Sequence, residues 1–164
     1  MSLKRCLQAL PEDAWANETV SLRPMQTEDD LIFAAYDCEL PEAQKGFVSP
    51  MWFLLGRAYL SPEENFPCII CSRTGERVGY LQCYRWRGES EAVSWSFFVD
   101  RRQQRKGYGT AAVSLAVALL KAACPRMPIR LAVEPDNIAA QRLYRTLGFS
   151  QLAETDGDDL NFEI

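Results

Sequence analysis

The segment from Asp100 to Thr110, which holds Arg101, Arg102, Arg105, Lys106, Gly107 and Gly109, separates two apolar runs of opposite character. Before it, Val93 to Val99 is rich in β-branched and aromatic residues, and after it Ala111 to Ala123 consists almost wholly of good helix formers. The order is therefore strand, loop, helix. At a helix N-terminus the first backbone N–H groups lack intrahelical partners and the dipole adds partial positive charge. Glycines there let a phosphate approach the backbone. The plainer alternative is an ordinary turn with a solvated basic surface. A second competitor is the dinucleotide fingerprint G-x-G-x-x-A, which Gly107 to Ala112 fits, with Glu134 standing for the ribose-binding acid. In that fold the strand runs almost directly into the first glycine, whereas here Asp100 to Lys106 intervenes.

Downstream, Leu131-Ala132-Val133 reads as an apolar strand and ends in Glu134-Pro135-Asp136-Asn137. Asn137 is an N-cap candidate for a short helix, and Gly148 stands where a positive-φ glycine closes one. Helical spacing puts Asn137, Ala140, Gln141 and Tyr144 along one face, with Leu143 and Leu147 on a neighbouring apolar stripe. By itself Tyr144 would read as an amphipathic core tyrosine.

Together the two segments resemble the GNAT superfamily of acyl-CoA-dependent N-acetyltransferases. Gln104-Arg105-Lys106-Gly107-Tyr108-Gly109 matches that family's Q/R-x-x-G-x-G/A loop, and Asn137, Ala140, Leu143, Tyr144, Gly148 and Phe149 match its second motif. The resemblance implies an α/β (α+β) fold: a mixed, mostly antiparallel central sheet of about seven strands, flanked by helices, with splayed central strands. It implies acetyl-CoA as cosubstrate and direct attack by an amine. Backbone groups of Phe98 and Val99 would hold the pantetheine arm, and Gln104, Arg105, Lys106, Gly107, Tyr108, Gly109 and Thr110 would cradle the pyrophosphate. Asn137 and Ala140 would also contact the cofactor, and Tyr144 would donate to the CoA sulfur as general acid. With no histidine in the chain, the base is a carboxylate acting through water. Glu89, Glu91 and Glu134 lie nearest the expected cleft, and Glu91 is carried forward as the catalytic candidate.

Similarity to bacterial diamine and polyamine acetyltransferases covers the stretch from Glu39 to Val48 and Phe97 to Asp100, and Glu39, Glu42, Glu89 and Glu91 would neutralise such a cation. Trp95 and Ser96 depart from that subgroup's acidic and basic pair. Peptide, amino-acid and aminoglycoside amines stay open as acceptors. A non-catalytic CoA-binding module and a dinucleotide oxidoreductase are the alternatives of another class.

A net charge of −4 favours a cationic small-molecule acceptor over nucleic acid. No sustained apolar stretch reads as a leader or membrane span, so a cytoplasmic protein without membrane contact is expected. The six cysteines include Cys68 and Cys71 at C-x-x-C spacing. In a strand, residues three apart face opposite ways, so no metal is expected and reduced thiols are the default.

The chain reads as a single domain, 1–164, with residues 1–18 as an N-terminal extension to which no chemistry is assigned. Expected elements follow as a strand at 19–23, a helix from the Thr27 cap to Cys38 and a helix at 51–59. Paired strands at 67–72 and 77–86 come next, then the two motif-bearing units, then two strands joined near Gly157. An exposed edge strand in that tail would support a homodimer.

Overall fold

The computed structural model describes residues 1–87 and 91–164. Glu89 therefore lies outside the described residues. Among the described residues, seven strands form two antiparallel sheets rather than one continuous sheet. The larger runs β1 (Val20–Pro24), β2 (Asn65–Ser72), β3 (Arg77–Arg87), β4 (Glu91–Val99) in chain order, and the smaller runs β5 (Arg130–Val133), β7 (Asp159–Glu163), β6 (Ser150–Asp156). Among the described residues the sheets join at one parallel bridge, Val93 with Ile129, where the Val93 N–H donates to the Pro128 carbonyl at 3.0 Å. Beyond it, toward Val99 and Val133, β4 and β5 form no further ladder among the described residues and belong to separate sheets. This is the expected splay.

The helices are α1 (Leu3–Gln8), α2 (Glu28–Ile32), α3 (Met51–Leu60), α4 (Tyr108–Ala123) and α5 (Ile138–Thr146). The residues between Thr27 and Cys38 do not make one α-helix. After Ile32 the chain widens into a π-helical turn over Phe33–Asp37, closed by Cys38 N–H to the Phe33 carbonyl at 2.8 Å. The N-terminal residues are also more than an extension. Leu3 and Leu7 are fully buried in the main core, and the Asn17 side chain donates to the Ala111 carbonyl in the first turn of α4 at 2.9 Å.

Strand alternation divides the interior in two. Val93, Trp95 and Val99 face the larger core with α1, α4, α5, β5 and β7, while Phe98 faces a smaller core made by Phe33, Ala34, Leu54, Ile69, Cys71 and Tyr80. Cys68 and Cys71 fall into different cores, as their spacing requires, and all six thiols are free. No group of three or more candidate ligands among the described residues could hold a metal ion. No helix among the described residues is long and apolar enough to cross a membrane.

Candidate active site

Because β4 and β5 are parallel and meet at their beginnings, their carboxyl ends form an open mouth. α4 starts after the first strand and α5 after the second, so both helix N-termini stand at that mouth. Gly107 is the N-cap of α4 at φ 83°, ψ 0°, and Arg105 two residues earlier also has positive φ, at 61°. Two left-handed residues in three positions turn the chain sharply into the helix, leaving the amides of Tyr108 to Thr110 without intrahelical acceptors. A Cβ on Gly107 would meet nothing within 4 Å, so the surface there is open. Gly109 has room for a methyl group, with Phe97 Cε2 at 3.6 Å and Val99 Cγ2 at 3.8 Å. That room accounts for the G/A alternation at this position of the motif.

The two strand residues expected to hold pantetheine are not equivalent. Asp100 N–H donates to Val78 on β3, whereas Val93 N–H donates outward to Pro128. In a regular antiparallel ladder, even-numbered residues of β4 therefore pair with β3 and odd-numbered ones turn their main chain to the gap. Val99 faces the gap, along with Phe97, which sequence alone did not single out. The Phe98 main chain pairs with Tyr80, and its side chain stacks on the Tyr80 ring at 5.5 Å on the opposite face. Phe98 is thus a wall of the other side of the site.

Asn137 caps α5 as expected, its Oδ1 accepting from Ala140 N–H at 3.1 Å. The far end closes with Gly148 at φ 92°, Gly148 N–H to the Arg145 carbonyl and Phe149 N–H to the Tyr144 carbonyl, both at 3.0 Å. These two bonds are a Schellman motif, and the accompanying apolar contact is between Phe149 and Tyr144, ring centroids 5.7 Å apart. Tyr144 also packs on Trp95 at 6.1 Å and Phe162 at 6.4 Å. Burial pushes the Tyr144 phenol above its ordinary range, opposed weakly by the Trp95 indole N–H. That N–H is buried and close by, but short of hydrogen-bond geometry. Tyr144 is therefore held protonated.

Glu91 begins β4, four residues or roughly 13 Å of strand before Trp95, and pairs with Arg85 at 3.0 Å. The structure sets it at the closed end of the splay, away from Val99. Glu134 is exposed at the open end, just after β5.

The basic run divides as well. Arg102 forks onto Asp100 and donates to the Asp37 carbonyl at 2.6 Å, while Arg101 donates its N–H to the Glu39 carbonyl at 2.7 Å and pairs with the Glu39 carboxylate at 2.8 Å. Burial opposes ionisation of Asp100, but the Arg102 fork outweighs it and keeps that carboxyl below the usual range. Gln104 donates to the Val99 carbonyl at 3.0 Å and exchanges amide bonds with Gln44 at 2.9 and 3.2 Å. Arg101, Arg102 and Gln104 thus anchor the 37–44 loop, and Arg105 and Lys106 remain at the helix mouth. Under that loop lies a cavity of about 480 Å³ with Leu40, Val48, Met51 and Phe98 in its wall and Glu39, Glu42, Lys45 and Arg101 around it.

Residues 30–149 match the profile of the acetyltransferase (GNAT) family, a span that includes the cavity, the gap and both helix mouths. The chain belongs to this family. Its membership makes it an acetyl-CoA-dependent N-acetyltransferase and sets aside the dinucleotide alternative. The fold agrees with solved GNAT structures. An acetyltransferase from Agrobacterium tumefaciens strain C58 superposes with TM-score 0.67 at 17% identity, over 91% of this chain and 92% of that one. The GNAT domain of S. lividans PAT gives 0.70 at 13% identity, over 94% and 98%. Spermidine N-acetyltransferase from Vibrio cholerae, in complex with CoA and spermine, gives 0.63 at 15% identity, over 90% and 96%. At such identities the likeness is one of fold. Among curated proteins none matches this sequence.

Proposed function

We propose that this GNAT chain transfers an acetyl group to a primary amine in the gap between β4 and β5, with Tyr144 serving the leaving sulfur. One observation carries the reading: Val99 and Tyr144 share one buried cluster on the same face of β4, and the N-terminus of α4, without a side-chain cap, follows that strand. The residues present fit acetyl-CoA, because the strand edge suits an extended arm and the uncapped amides of Tyr108 to Thr110 suit a pyrophosphate. Arg105 and Lys106 would add charge there, and Asn137 and Ala140 would border the other wall. Acetyl-CoA supplies an activated acyl group and a thiolate leaving group.

The protein's work is to position and to manage protons. The amine nitrogen would form a bond to the acyl carbon while the carbon–sulfur bond breaks, and the ammonium proton would leave to water. Deprotonating an alkyl ammonium at pH 7 costs roughly 4.6 kcal/mol, so an acceptor for that proton matters. Glu91, exposed and paired with Arg85, would act through a chain of water rather than by contact. At the sulfur, an ordinary phenol of pKa about 10 already transfers its proton uphill to a thiolate of about 8.5. Burial raises Tyr144 further, so its hydroxyl works as a hydrogen-bond donor to the developing charge.

The diamine or polyamine reading of the acceptor is supported by Glu39 and Glu42 beside the cavity. Against it stand their ion pairs with Arg101 and Lys45. A homodimer through the exposed edge strand β6 would be visible by light scattering. The test of the main reading is mass-spectrometric detection of acetylated product from acetyl-CoA and a panel of amines. Product formation is expected. Acetyl-CoA binding without product from any amine would favour a non-catalytic CoA-binding module.

A further inference from the structure

The charges around the cavity are balanced in pairs. Glu39 meets Arg101 at 2.8 Å and Glu42 meets Lys45 at 2.6 Å. All four side chains are at least half exposed, so the pairs stand at the mouth, where water screens them and a ligand can open them. The rest of the wall is mostly apolar, with Ala34, Leu40, Val48, Met51 and Phe98 beside Cys38 and Ser49.

We propose that this cavity takes a zwitterionic acceptor, an α-amino acid with an apolar side chain. Its ammonium faces Glu39 and Glu42, its carboxylate faces Arg101 and Lys45, and its side chain fills the space over Phe98. The proposal rests on the acetyl-transfer reading and names the substrate class for it. Charge bookkeeping selects the zwitterion. A polycation would take both carboxylates and leave Arg101 and Lys45 without partners, and its second ammonium would meet the apolar wall. A neutral apolar ligand gains nothing by opening either pair. An amino acid exchanges each existing ion pair for another of the same kind. Its α-amine is then the nucleophile, held at the mouth on the Phe98 face of β4. The volume, about 480 Å³, falls within the range of small-ligand sites. Arg101 is well placed to discriminate, because its own N–H is bonded to the Glu39 carbonyl and fixes both partners of one pair.

Leucine and phenylalanine are compared with their decarboxylated counterparts, 3-methylbutylamine and phenethylamine, and with spermidine, using acetyl-CoA and product mass spectrometry. The expected kcat/KM for at least one amino acid exceeds that of its decarboxylated amine by tenfold or more. Arg101→Gln, and independently the peripheral Lys45→Gln, should erase that preference by raising KM for the amino acid several-fold more than KM for the decarboxylated amine. Calorimetric binding of the amino acid to CoA-saturated protein should weaken in the same variants. Equal or faster acetylation of the decarboxylated amines or of spermidine overturns the zwitterion class and leaves acetyl transfer standing. If no amine is acetylated although acetyl-CoA binds, both readings fall together.

Discussion

Tyr144 is fixed by its neighbours on every side. Its carbonyl accepts the Schellman bond from Phe149, its ring lies among Trp95, Phe149 and Phe162, and burial keeps its hydroxyl protonated. Tyr144→Phe keeps the ring and removes only the donor, so kcat should fall by about 10²-fold or more with acetyl-CoA affinity unchanged. Stopped-turnover rates and calorimetry check this, and normal turnover in the variant would end the donor assignment. Because the phenol's pKa is raised, its protonated form persists upward through the ordinary range, and no alkaline limb below about pH 10 should belong to it. The two loop glycines should behave differently. Gly107→Ala places a side chain at φ 83°, costs about 1–2 kcal/mol and weakens acetyl-CoA binding. Gly109→Ala, whose methyl would make ordinary contact with Phe97 at 3.6 Å, should fold at least as stably, since alanine gains up to about 1 kcal/mol over glycine in a helix. Thermal denaturation with and without acetyl-CoA separates the two.

At the scale of elements, the acceptor side depends on contacts between distant parts of the chain. Asp30, fully buried, caps the start of α2 and binds Arg23 of β1 through two bonds of 2.8 and 2.6 Å and Arg77 of β3 at 2.9 Å. The Arg23 guanidinium, with backbone N–H groups of Gln26 and Thr27 and with Arg77, outweighs burial and holds the Asp30 carboxyl far below the usual carboxylate range. Its folded pKa is depressed, so its contribution is complete above the unfolded value of about 4 and is lost as pH falls below it. Asp30→Asn should cost about 3 kcal/mol or more at pH 7 and flatten the acid limb of a stability–pH curve measured by urea titration. An unchanged acid limb would contradict the assignment. A second anchor is the buried chain from Tyr80 Oη to Gln82 at 2.6 Å and from Gln82 to Asn65 at 2.9 Å, and to the Leu54 carbonyl at 3.2 Å, which ties α3 to the sheet. Neither anchor is readable in the sequence, since Asp30 and Arg77, or Gln82 and Asn65, carry no local signal of meeting. The two motif-bearing units are readable because their determinants are local: the Asn137 cap, the Gly148 stop and the glycines of the α4 loop each act within a few residues. The split of Phe98 from Val99, and of Arg101 from Lys106, depends on which neighbour each faces, which periodicity alone leaves open.

At the scale of the molecule, one end of the splay is tied by the Val93–Ile129 bridge and the N-terminal helix packs behind α4. Leu3 and Leu7 are 1% and 0% exposed. At about 1.5–3 kcal/mol for each buried side chain, deleting residues 1–10 should remove about 3–6 kcal/mol, a large share of a typical total stability. The truncated protein should melt far below the full chain or not fold, and an unchanged melting temperature would mark the segment as dispensable. The central claim is that acetyl-CoA enters the gap at the open end of the splay, and hydrogen–deuterium exchange on the full chain with and without CoA tests it most directly. Slowed exchange is predicted at Phe97 to Val99, at Gly107 to Ala111 and at the start of α5, with Glu91, Ala92 and α1 unaffected. Protection at α1 and at Ala123 to Met127, with none around Gly107, would contradict the account.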